Sequence, residues 1–406
     1  MRFVTRFIPR SAALCVMMLS AWPAKSQQIR DSAGIRIVSY GRRDTPAGRW
    51  TLDPKPLVRI GGADDGPYGF AFIRGVVRLS DGSIAVANQR PSEIRIFDAS
   101  GGFVRSLGRN GTGPGEFNRV LFRLLRSGDT LIGSDNSMRD QVFAPNGELA
   151  RSLARARPPL TSGNPARIAF DAQGGALVQA TEVADATTPS EADVFLRVFR
   201  ESANGENYAS LLRVFLYRPT KKRGVAPRAV VFGPTPRIIA DASRICIGNT
   251  ADFAITCHDS LGRPLVVIRR PVPSRAITEA DRKHFQDGYL AANKGASAQA
   301  IATIKESNRL TQFADRAPAF GRAMISTSGE LWVSEFDPSE ESLGVPSFQT
   351  PSVPLRCSVF AHDGTWLSDI VLPARFRPFE VGADYVIGVS LDDDDIEHVT
   401  LYAIRR

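Results

Sequence analysis

Val76-Val77-Arg78-Leu79, the turn Ser80-Asp81-Gly82-Ser83, Ile84-Ala85-Val86-Ala87-Asn88, a short loop, Glu93-Ile94-Arg95-Ile96-Phe97, the turn Asp98-Ala99-Ser100-Gly101, and Phe103-Val104-Arg105-Ser106-Leu107 together decide the fold of this chain. Each run is short, β-branched or aromatic, and close to alternating between apolar and polar side chains. That period of two belongs to a strand with one face buried. Four such runs joined by tight turns make one antiparallel four-stranded unit, the blade of a β-propeller.

Outward from this unit the pattern repeats. Its third-strand turn returns as Phe143-Ala144-Pro145-Asn146-Gly147, His258-Asp259-Ser260-Leu261-Gly262 and Phe360-Ala361-His362-Asp363-Gly364, with a longer version from Phe199 to Gly205. Each carries a glycine where the turn calls for positive φ. Second strands begin at Ile84, Leu131, Leu177, Ile245, Leu331 and Val386. Six second strands predict six blades. The sixth blade has three strands of its own, near Phe379, Val386 to Val389 and Val399 to Ile404. Its fourth is expected from Leu57-Val58-Arg59-Ile60-Gly61, so that the N-terminal region closes the ring and removes an open sheet edge. The expected fold is all-β, a six-bladed propeller over residues 27–406.

The run Gly108-Arg109-Asn110-Gly111-Thr112-Gly113-Pro114-Gly115-Glu116-Phe117, after an Ile-x-Ile-Phe-Asp-x-x-Gly strand and turn, resembles NHL-type repeat proteins. Leu57 to Phe70 echoes it. Trp50-Thr51-Leu52-Asp53 and the terminal stretch Asp384 to Arg406 resemble exported bacterial six-bladed propellers of undefined function. The resemblance implies the same fold for nearly all of the chain after residue 26 and is silent on activity, since propellers host enzymes, receptors and scaffolds alike.

Residues 1–26 read as a signal peptide. Arg2, Arg6 and Arg10 precede an apolar stretch, Ser11 to Trp22, too short to span a bilayer, and Ala24-Lys25-Ser26 offers small residues before cleavage at Gln27. Leu14 stands before Cys15 where a lipoprotein needs a small residue. The chain is therefore expected to be exported, to the periplasm or beyond the cell, with no membrane span after cleavage. Of its nine net positive charges, four (Arg2, Arg6, Arg10, Lys25) leave with the leader. The modest remainder argues against a nucleic-acid partner, and the cluster Arg218, Lys221, Lys222, Arg223 reads as a solvated loop. In an oxidising compartment Cys246 and Cys257 form either a disulfide across the turn Asn249 to Asp252 or two buried thiols; Cys357 is left over.

One region breaks the repeat. Between residues 275 and 317, Thr278 reads as an N-cap before Glu279 and Asp281. Phe285, Tyr289, Ile301, Ile304 and Leu310 give an apolar face, and Gly288 and Gly295 are expected to separate short helices. This is a helical insertion between blades four and five, acting as a lid, a partner surface or a plug over apolar propeller surface.

Catalytic patterns are missing, and no catalytic residue is assigned. Four histidines (His258, His284, His362, His398) are scattered, and no nucleophile elbow, zinc-protease helix or phosphate loop occurs. Asp392-Asp393-Asp394-Asp395 lacks the glycine and distal glutamate of a calcium loop and reads as solvated. Two rings emerge once the blades are aligned. Four residues after each second-strand start stand Asn88, Asp135, Thr181, Asn249, Glu335 and Ser390; Asn88, Asp135, Asn249 and Glu335 are hard oxygen donors suited to calcium or magnesium. These ligand types are similar to those of gluconolactonase-like propellers, although the motifs do not align residue by residue, and the same residues also cap loops. Arg74, Arg123, Arg167, Arg237, Arg322 and Arg377 each precede a first, innermost strand and would either face an anion or pair structurally with carboxylates such as Asp135 and Glu335. Two function classes follow: a non-enzymatic binder of a small anionic ligand or protein partner, and a divalent-metal-dependent hydrolase or lyase of the gluconolactonase-like type.

Overall fold

The computed structural model describes residues 27–406 except 63–65, 119–120, 136–137, 172–173, 185–192, 218–229, 293–294 and 339–349. The leader and the basic cluster at 218–223 lie outside the described residues.

Six antiparallel blades follow one another around an axis. Blade one is Ile73–Arg78, Ile84–Asn88, Glu93–Phe97 and Phe103–Leu107. Blades two, three and four begin at Leu121–Ser127, Ser162–Phe170 and Pro236–Ala240, and blades five and six at Ala323–Ile325 and Phe376–Val381. The third-strand turns explain the repeat. Gly101, Gly147, Gly205, Gly262 and Gly364 all take φ between 76° and 93°, where a side chain would be strained. In the first of them the Asp98 carboxylate accepts the amides of Ser100 and Gly102, which fixes the reversal. The aromatic before four of these turns (Phe97, Phe143, Phe199, Phe360) is buried between blades. Six apolar clusters result, one at each junction of successive blades. Near the axis, Gly75 is needed for close approach: a Cβ there would sit 2.6 Å from Leu124 Cβ of blade two.

Closure goes further than the repeat predicts. Val58–Ile60 does pair antiparallel with Glu397–Arg405 as the outer strand of blade six. Before that, the hairpin Gln28–Ser32 and Ile35–Ser39 lays its second arm parallel on blade four's outer strand Pro264–Arg270. Gly48–Arg49 then pairs parallel with blade five's outer strand Trp366–Leu372. Residues 28–60 thus form a strap over the outer edges of blades four, five and six, covering edges that would otherwise template aggregation. It is pinned by the Tyr40 hydroxyl, which donates to Gly364 O at 2.8 Å and accepts the Trp366 N–H at 2.6 Å.

The insertion contains two helices, α1 (Glu279–Ala292) and α2 (Ala298–Leu310). Thr278 caps α1 reciprocally: its Oγ1 accepts the Asp281 N–H at 3.2 Å and the Asp281 carboxylate accepts the Thr278 N–H at 2.8 Å. Gly288 does not separate helices, contrary to expectation. α1 runs through it, because one interior glycine costs only about 1 kcal/mol while Phe285 is anchored among Phe232, Phe313 and Phe336. Gly295 does stand between the helices.

Candidate site at the channel mouth

Hairpin turns between first and second, and third and fourth, strands lie on the lower face of the propeller, most of them with a left-handed glycine. Loops from second to third strands and the connections between blades lie on the upper face, with the helical insertion. There, alongside glycines such as Gly108 and Gly115, Phe72, Met138, Leu160, Phe232, Arg375 and Asp395 take left-handed backbone, with φ between 57° and 63°. Each costs about 1–2 kcal/mol, and such strain concentrates where geometry has a use.

The arginines start the innermost strands at this face. Arg123, Arg237 and Arg377 pair with Ser134, Gly248 and Val389, and Arg322 exchanges hydrogen bonds with Ser334. Each therefore sits opposite the residue just before the polar second-strand terminus. Arg74 occupies a bulge between the pairs Ile73–Asn88 and Gly75–Ala87. Arg167 leaves this register: two irregularities in its strand place it against Val178, three residues short of Thr181.

Its environment differs accordingly. Arg167 bonds Asp140 at 2.6 Å and Glu201 at 2.5 Å, both carboxylates buried, and donates to Ala154 O at 2.9 Å. Tyr208 donates to Glu201 at 2.8 Å, and Arg155 lies 3.4 Å from Asp140. Burial opposes the charge of Arg167, but its hydrogen bonds to Glu201 and the charge of Asp140 hold its pKa above the ordinary arginine value. Arg123 donates to Arg167 O at 2.9 Å and is itself pushed down by burial.

Arg377 is the opposite case. It is 2% exposed, donates to Ile73 O at 3.0 Å, lies 3.4 Å from Glu397 and stacks 4.9 Å from the Phe379 ring centroid. Burial lowers its pKa to about 10; Glu397 resists this, while the positive charges of Arg322 and Arg74 add to it. Burial also lowers Arg74, against the pull of the same Glu397. Arg74, Arg322 and Glu397 thus all lie close enough to Arg377 to act on its charge.

The second-strand termini serve their loops. Asn88 Oδ1 accepts the Ala71 N–H at 2.9 Å and its amide donates to Pro91 O at 3.1 Å. Asp135 accepts the Asn118 N–H at 2.6 Å. Asn249 is exposed and caps Ala251 at 3.0 Å. Glu335, 60% exposed, lies 3.6 Å from Arg356. Thr181 pairs with Ser162, and Ser390 shares a 2.6 Å hydroxyl contact with Thr400. Among the described residues, no three His, Cys, Asp or Glu side chains gather as a metal site. Asp392 uses its carboxylate on the amides of Asp394 and Ile396 and on His398 at 2.8 Å, which accounts for the aspartate string as a self-capped loop. Cys246 and Cys257 face each other across the hairpin as a disulfide, and Cys357 is buried.

Sequence reasoning missed three partners at the mouth. Glu397 opens the terminal strand, and Gln89 holds Arg74 Nε. Phe72 has both Arg74 and Arg90 against its ring. An aromatic two residues before a ring arginine was the available signal. A separate cavity of about 580 Å³ opens on the outer rim, where the strap crosses from blade five to six past Trp50, Arg356 and Tyr402. No helix among the described residues is long and apolar enough to cross a membrane.

No family model matches the chain, and no curated protein does. Solved structures similar to it include a member of the DUF4221 family from Bacteroides vulgatus, 11% identical over 88% of this chain and 99% of that one, with a TM-score of 0.51. A candidate exported protein from Bacteroides fragilis is 11% identical over 88% and 95%, with a TM-score of 0.45. A calcium-binding protein, regucalcin, from Agrobacterium tumefaciens is 11% identical over 87% and 95%, at 0.38. At these identities the likeness is one of fold.

Proposed function

We propose that this chain is an exported, non-catalytic propeller of NHL-like type that binds a small anionic ligand at the upper mouth of its channel. Residues 1–26 direct export to the periplasm or beyond and are removed before Gln27. The supporting observation is the neighbourhood of Arg74, Arg322 and Arg377 beside Glu397, with Arg377 buried and its pKa lowered to about 10. A guanidinium fork suits a carboxylate or phosphate placed there. Low-dielectric walls focus the positive potential outward and speed capture.

Loop capping by Asn88 and Asp135 favours this reading over the calcium- or magnesium-dependent hydrolase. The test is calorimetric titration of citrate and inorganic phosphate into the wild type and an Arg74→Met/Arg322→Met variant at two salt concentrations. Binding that weakens with salt and falls at least tenfold in the variant is expected. Unchanged affinity in the variant, or none in the wild type, refutes the proposal.

A further inference from the structure

We infer that the anion taken at the channel mouth carries a flat apolar body, making it an aromatic carboxylate, and that Phe72 is the surface on which that body lies. This inference rests on the anion-binding reading above and narrows it to a ligand class.

Phe72 is 52% exposed, although it stands in the connection that enters the innermost strand of blade one. A bulky residue at φ 63° is an outlier that glycine or asparagine would relieve. Phe232, in the corresponding connection into blade four, has φ 60° but is 1% exposed, so its conformation serves the aromatic cluster under α1. Phe72 has no such burial to explain it.

The loop is nevertheless held rigidly. Ala71 N–H donates to Asn88 Oδ1, Gln89 N–H to Phe72 O at 3.2 Å, and Arg90 N–H to Ala71 O at 3.2 Å. The Arg74 guanidinium, oriented by Gln89, lies 5.7 Å from the ring centroid and that of Arg90 lies 5.4 Å from it. The next carbonyl, that of Ile73, accepts from Arg377. A pre-organised aromatic surface flanked by two guanidinia, one residue from a third, matches an apolar ring carrying a carboxylate. A purely inorganic anion would leave the ring unused. Asn88 and Gln89 act here as positioning residues.

Calorimetry with 1-naphthoate, acetate and inorganic phosphate tests this on the wild type and on Phe72→Gly, which keeps every arginine and removes the backbone strain. The wild type is expected to bind naphthoate at least tenfold tighter than acetate, about 1.4 kcal/mol. Phe72→Gly is expected to lose that preference and melt no lower than the wild type. Equal naphthoate and acetate affinities in the wild type overturn the inference while leaving an anion site intact. So does a preference that survives in Phe72→Gly. Failure of all three anions to bind the wild type overturns the anion site itself, and this inference with it.

Discussion

Replacing Arg167 by Met and, separately, Arg377 by Met sets two members of one sequence ring against each other. Both side chains are almost fully buried, and Met keeps much of their apolar volume. In Arg167→Met, Asp140 and Glu201 remain buried without the guanidinium that bridges them. Breaking a buried ion pair from one side costs about 3–5 kcal/mol, or a fall in Tm of about 6–10 °C at about 2 °C per kcal/mol for a domain of this size. Because the pKa of Arg167 is raised, its contribution is fully present through the neutral range and is lost only as pH rises through the folded value. In Arg377→Met two terms oppose. Lost bonds to Ile73 O and Glu397 cost about 1–3 kcal/mol. The depression of Arg377 from the ordinary arginine value to about 10 corresponds to on the order of 3 kcal/mol of charging penalty that the variant no longer carries. The net change is expected within about 2 kcal/mol of zero. A folded pKa below the unfolded one puts the full penalty below pH 10 and relieves it as pH rises toward the ordinary arginine value. Thermal melts by circular dichroism, with urea titrations for the free energies, measure both variants. Arg377→Met destabilising as much as Arg167→Met would refute the division of the ring into a structural and a strained arginine.

Gly75→Val is expected to cost more than about 2 kcal/mol, because its Cβ would press on Leu124 where blades one and two meet; a urea titration checks it, and Leu124→Ala should recover part of the loss. Cys246→Ser/Cys257→Ser, which opens a link between residues 11 apart, should lose about 2–3 kcal/mol, with wild type in reductant melting alongside it. Tyr40→Phe removes both hydrogen bonds that pin the strap to blade five. It should cost about 1–2 kcal/mol and raise amide exchange in residues 35–49 before the rest of the molecule.

The repeat was legible because each blade rewrites the same local chemistry: period-two strands, a buried aromatic, and a glycine at the turn. Such features act within a few residues, so Phe97, Gly101 and their counterparts could be placed by spacing alone, and the strand Val58–Ile60 followed from blade six having three strands of its own. The cap at Thr278 was equally local. Gly288 was misjudged because packing around Phe285 outweighs one residue's preference.

What each ring residue does was decided by residues far away in sequence. Asn88 and Asp135 look like metal ligands by type, yet their oxygens are taken by amides 17 residues earlier. Arg167 and Arg377 occupy equivalent sequence positions, but irregular pairing turns one toward Asp140 and Glu201 while the other meets Arg74 and Arg322. The strap's pairing with blades four and five could not be read from the hairpin Gln28–Ser39, because an edge strand's partner is set by which edge is left open. Sequence by itself determined the six blades, their closing strand and the capped insertion, since these depend on side-chain period and turn geometry along the chain. Only the tertiary structure decided which polar groups are neutralised and which remain strained at the mouth, since electrostatic energy depends on distances between blades and not on spacing within one.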